Sequence, residues 1–220
     1  MTSLGCIAIK VADISIDIEK FTELVFDTFA DEATGYPDTR QDQHFCIVKT
    51  KDNFIWFESS WVTDEIFYNG QTERLNRIYE FFNKPAFMIA LNEYDSGGTY
   101  GYVIIENGQI IRKRRTICYD TTIDEGEPLP LEKDWLSGKK IIADFDEDGN
   151  LVEIEGKKTD EEIEDEDLVR AVVNPVTNEV VEENELTQIL HKKVMIHFFG
   201  YTIWDRLEYD FYKCYTLRMI

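Results

Sequence analysis

Carboxylates dominate the chemistry open to this chain. Asp and Glu number 44 against 23 Lys and Arg, a formal charge of −21. The surplus is concentrated: Asp144–Glu185 carries 17 acidic and 3 basic residues, and so a net −14. Its densest run holds Asp160, Glu161, Glu162, Glu164, Asp165, Glu166 and Asp167. Carboxylates packed this closely repel one another, and a cationic partner relieves that repulsion. These seven residues are therefore expected to bind a basic protein. The same charge repels nucleic acid and anionic membrane surfaces, so neither is an expected partner. The competing view of the run is a solvated insertion that keeps the chain soluble.

A second pattern in this region is Asp144-Phe145-Asp146-Glu147-Asp148-Gly149, closing at Glu155, which fits the calcium-loop spacing D-x-D-x-D-G-x5-E. That loop needs a helix on each side. Here Gly138 and Ile141-Ile142 precede it and Gly156 follows, so a strand, an Asp-Gly turn and a returning strand account for the same letters. No metal or cofactor is expected, although a calcium-responsive module stays open as an alternative.

Arg112-Lys113-Arg114-Arg115 is the dense basic run. On a strand, residues 112 and 114 face one way and 113 and 115 the other, giving two half-patches. Pairing with carboxylates of the acidic segment is the expected role, against contact with phosphate or a partner. His44, His191 and His197 lack metal-ligand spacing. Cys6, Cys46, Cys118 and Cys214 are far apart with no CxxC pair, and the first three sit in apolar runs, so buried free thiols are expected. Of the tryptophans, Trp61 and Trp135 lie nearest to loops and are the candidates for interface anchors, with core packing as the default. No nucleophile elbow, Gly-rich phosphate loop or dinucleotide fingerprint occurs. With so many acids, no particular carboxylate pair stands out for acid–base work.

The elements that must carry these residues read as follows. Apolar, β-rich runs at 4–11, 45–49, 54–58, 86–91, 100–105, 109–119, 141–143 and 151–154 predict strands. Lys51-Asp52-Asn53, Asn107-Gly108 and Asp148-Gly149 predict hairpin turns. Apolar residues at three- and four-residue steps predict helices over 17–30, 71–82 and 184–198. The segment from 199 to 220 is expected to return to the sheet. The result is an α+β fold: a mixed, largely antiparallel sheet with about three helices packed on it. It forms one domain over 1–220, with an acidic insertion or subdomain at about 144–185. No secretory signal or long apolar span is apparent, so a cytoplasmic location is expected.

Between Gly101 and Glu132 the chain resembles an uncharacterised bacterial family. The shared pattern is Gly101-Tyr102, Asn107-Gly108, Arg112, and the box Gly126-Glu127-Pro128-Leu129 with Glu132. The resemblance implies no activity and adds no catalytic residue. At the level of class, the chain is similar to bacterial toxin-immunity proteins, which are small, acidic and poor in catalytic motifs. The expectation is an acidic, non-enzymatic binding protein, of the kind that neutralises a basic toxin or nuclease. The alternatives are an enzyme whose site is assembled from distant residues, and the calcium module.

Overall fold

The computed structural model describes residues 3–11, 16–35, 37–50, 54–94, 97–157, 159, 168–202 and 209–218. The first half of the chain runs through β1 (Ser3–Lys10), α1 (Ile18–Phe26), β2 (Ala30–Glu32), β3 (His44–Thr50) and β4 (Phe54–Glu58). It continues through α2 (Ser60–Asn69), α3 (Glu73–Phe81), β5 (Phe87–Tyr94), β6 (Thr99–Glu106) and β7 (Gln109–Ile117). Then come β8 (Asp120–Gly126), α4 (Pro130–Leu136), β9 (Lys139–Phe145), β10 (Leu151–Glu153), β11 (Val169–Val173), β12 (Val180–Glu182), α5 (Leu186–Phe199) and β13 (Tyr209–Leu217).

Nine strands form one sheet in the order β2-β13-β3-β4-β1-β5-β6-β7-β8, and four form a second in the order β10-β9-β11-β12. Every strand pairing in both is antiparallel. The class is as expected, but the expectation of about three helices on one sheet is corrected to five helices and two sheets among the described residues.

The large sheet is buried on both faces, which is why its central strands read as unbroken apolar runs. In β1, Ile7 and Ile9 join Phe21 of α1, Ile66 of α2 and Ile78 of α3 in one core. The alternate residues Cys6 and Ala8 join Trp135 of α4 and Leu190 and Val194 of α5 in a second. The small sheet contributes Val172 and Val181 to this second core. Sequence-local signals start the helices. The side chains of Asp17 and Thr72 each accept a backbone N–H of the first turn, at 3.1 Å, and such caps typically contribute about 1 kcal/mol.

Helix α2 was not anticipated. Its sequence, Ser60-Trp61-Val62-Thr63, is β-branched and aromatic, and its burial against β1 and β5 outweighs that weak local preference. Helix α4 was likewise missed, although Pro130 occupies its first turn and Glu132 closes it by accepting the Leu129 N–H at 2.6 Å.

Two cysteine expectations are corrected. Cys46 and Cys214 stand opposite each other on β3 and β13 and form a disulfide, because the pairing register brings together side chains 168 residues apart in sequence. Cys118 is exposed in the β7–β8 turn, whereas Cys6 is buried and outside the disulfide, as expected. No helix among the described residues is long and apolar enough to cross a membrane.

Candidate functional site

The β6–β7–β8 meander and α4 are joined by a buried charge cluster. Arg112 on β7 is 1% exposed and Glu132 on α4 is 0% exposed. Arg112 donates to Glu132 from Nε at 3.0 and 3.1 Å and from Nη2 at 2.7 Å. The Tyr102 hydroxyl donates to the same carboxylate at 2.5 Å. Arg112 also meets Asp124 of β8 at 2.6 Å. Burial alone would ease a proton off Arg112; the hydrogen bonds and charge of Glu132 outweigh it and hold the guanidinium more firmly protonated than usual. Burial, and then the Glu132 carboxylate, push the Tyr102 phenol upward. Most members of the sequence pattern from Gly101 to Glu132 thus have a structural reason. Gly126 holds a positive φ with its Cα hydrogens against the Ile111 carbonyl. Pro130, adjoining the box, begins α4, and Tyr102, Arg112 and Glu132 form the cluster itself.

The rest of the basic run is also engaged internally, on the two faces that strand alternation predicts. Arg114 pairs with Asp124 and donates from Nε to Thr187 Oγ1 at 3.2 Å. On the opposite face Lys113 meets Glu125 at 3.0 Å, and Arg115 meets Asp64 at 2.7 Å while stacking on Phe67 and Tyr68. Among the described residues, these partners come from α2, β8, α4 and α5. The expected pairing with the acidic segment is corrected: register places β7 beside β8 and under α2.

Between the β8 edge, α4, the start of α5 and the small sheet lies a cleft. One part, about 430 Å³, is lined by Tyr119, Asp120, Thr121, Arg170, Glu182 and Glu183, among others. The adjoining part, about 410 Å³, shares Thr121 and Glu183 and adds Arg114, Asp124, Lys140 and an apolar floor that includes Trp135, Val172 and Leu186. Lys140 pairs with Glu183 across the small sheet's rim. A chain of hydroxyls, Thr116, Thr121 and Thr187, spaced at 3.3 and 3.5 Å, reaches the cleft at Thr121. Asp120 and Glu182 line the cleft and form no ion pair among the described residues. Arg114, Lys140 and Arg170 also line the cleft, so Asp120 and Glu182 are the groups that could receive a further cation, beside the apolar floor.

The expected site residues fare differently. Asp160, Glu161, Glu162, Glu164, Asp165, Glu166 and Asp167 lie outside the described residues. Trp135 is 3% exposed, with Lys193 over its ring, so it is a core residue of the cleft floor and not a surface anchor. Trp61 is half-buried, stacked on Phe26 and covered by the Arg74 guanidinium 4.2 Å from its ring centre. The calcium-pattern residues form the β9–β10 hairpin. The Asp146 carboxylate accepts the N–H groups of Asp148 and Asn150 at 3.0 and 2.8 Å, and such hydrogen bonds hold its carboxyl below the usual range.

The cleft carboxylates Asp120, Asp124, Glu182 and Glu183 were not singled out by sequence, since they are scattered among 44 acids and meet only through the approach of two sheets. The side chains with displaced protonation that are most deeply buried lie outside the cleft lining. His191 is one: burial, and then Lys192, push its imidazole down to about 3. The Glu93 carboxylate at 3.7 Å is beyond hydrogen-bonding reach, so burial governs and the ring is neutral.

Compared with known proteins, the chain matches no protein-family model, no curated protein and no solved structure.

Proposed function

We propose that this chain is a binding protein for a basic macromolecular partner, which it meets at the acid-rimmed cleft. One observation carries this: the densest basic run, 112–115, is turned inward, while most acids of the small sheet and its turns are left without a cation among the described residues. Arg112, Lys113, Arg114 and Arg115 are each at most 6% exposed and each is paired. Of the acids in 144–157 and 179–185, only Glu153 and Glu183 pair with a lysine among the described residues. The field outside the molecule is then strongly negative, and it attracts and orients a cationic partner. Asp160, Glu161, Glu162, Glu164, Asp165, Glu166 and Asp167 belong to the same proposal through their charge.

The class that fits this arrangement is an inhibitor or immunity protein that blocks a basic enzyme, such as a nuclease, by presenting carboxylates where that enzyme receives phosphates. A cytoplasmic setting agrees with that role, but the Cys46–Cys214 bond agrees better with an oxidising one.

The test starts from proteins captured from the native host. Each is purified and its affinity for this chain measured across salt concentrations. The expected partner is basic, its affinity falls steeply with salt, and the double reversal Asp120→Lys, Glu182→Lys weakens it by about tenfold or more. A partner bound with salt-independent affinity that tolerates the double reversal overturns the proposal.

A further inference from the structure

Open sheet edges offer unpaired N–H and C=O groups to any further strand, and proteins usually blunt them. Here β2, β10 and β12 are blunted by length, at three residues each. β8 is seven residues long, almost wholly exposed, and no strand lies on its outer side among the described residues. The Glu125 and Gly126 carbonyls accept from Arg112 Nη1 at 3.0 and 3.3 Å. The accessible stretch is therefore Asp120–Asp124, which forms one wall of the cleft. Thr122 is bulged out of the β7–β8 register, which bends this edge and disfavours flat stacking of copies.

Charge then selects the occupant. Asp120 lies on the edge and Glu182 across the cleft, neither in an ion pair among the described residues. A second copy of the edge would bring like charges together across the new ladder, which is destabilising. A strand bearing lysine or arginine would meet opposite charges.

We propose that β8 is a docking edge at which an extended basic segment of a partner protein adds as a further strand of the large sheet. This rests on the reading that the cleft receives a basic partner, and specifies that main-chain pairing is how it does so. Main-chain hydrogen bonds would supply a part of the affinity that does not depend on salt, while Asp120 and Glu182 set the sign of the side chains accepted.

The full chain is titrated with two capped peptides of about eight residues each, one alternating lysine with valine and one alternating lysine with proline. Their charges are equal, but proline cannot donate to a ladder. Hydrogen exchange over 120–124 is followed alongside affinity. The expected result is that the lysine–valine peptide binds about tenfold more tightly and slows exchange in that stretch, as several added hydrogen bonds require. Equal affinities without protection of 120–124 overturn strand addition but leave a charge-based cleft standing. Failure of both peptides to bind at low salt overturns both ideas. Protection of 120–124 that grows with protein concentration in the absence of peptide assigns the edge to a second copy and overturns the proposal.

Discussion

Glu132 shows what a fully buried carboxylate requires. Arg112, Tyr102 and the Leu129 N–H together occupy its oxygens. Removing its charge leaves Arg112 buried with only the half-exposed Asp124 as counter-ion. Breaking one partner of a buried pair usually costs about 3–5 kcal/mol. Glu132→Gln is expected to destabilise at the lower end of that range, because Asp124 remains, and urea unfolding measures it. A loss under about 1 kcal/mol would mean the cluster is not structural.

His191 gives a pH signature. Its imidazole is pushed down to about 3 in the fold, while in the unfolded chain it titrates near its ordinary value of about 6.5. Between these values the unfolded state binds the proton and the folded state does not, so stability falls as pH drops through that window. Replacing His191 by Leu should remove a slope of about 1.4 kcal/mol per pH unit between roughly pH 6 and 5. Parallel stability–pH curves for the two proteins would contradict this.

At the scale of elements, the two-residue turns differ in chemistry. Asn107 and Gly108 both have positive φ, as does the pair Cys118 and Tyr119 at the β7–β8 turn. Asn-Gly accepts this conformation readily; Cys and Tyr do not. Cys118→Asn, at an exposed site, should raise stability by about 0.5–1 kcal/mol, read as a shift of the denaturation midpoint. No change would mean the turn relaxes without cost.

The same contrast explains what was legible in the sequence. Asn107-Gly108 and Asp148-Gly149 announced their hairpins, and the apolar spacing over 184–198 announced α5, since these depend on local chemistry. The β7–β8 turn did not, because Cys118-Tyr119 carries no turn signal. Helix α2 did not either, because packing decided it. The cleft was the least legible feature. Asp120 and Glu182 are 62 positions apart by number and meet only through tertiary approach. Internal pairing of Arg112 was expected from its place in the basic run, but its partner Glu132 stood only in a resemblance that gave no reason for it.

At the scale of the molecule, the Cys46–Cys214 bond closes a loop with a sequence separation of 168. Loops of this length are associated with roughly 4–5 kcal/mol of stabilisation where the native geometry is unstrained. Unfolding in denaturant with a thiol reductant present should therefore occur at a lower midpoint than without it. Denatured, unreduced protein should show two reactive thiols, those of Cys6 and Cys118. Four reactive thiols before any reductant is added would show that the pair is not formed.

The place of β13 in the large sheet has a consequence for biosynthesis. This strand inserts between β2 and β3, elements laid down before residue 51. Until Leu217 has been translated and has cleared the ribosome, the sheet has a gap near one end, with His44–Thr50 exposed along that side. The nascent chain cannot close its fold vector-wise from the N-terminus. Chaperone engagement is expected to centre on that waiting gap, and the emergence of β13 becomes the event that commits the molecule to its final topology.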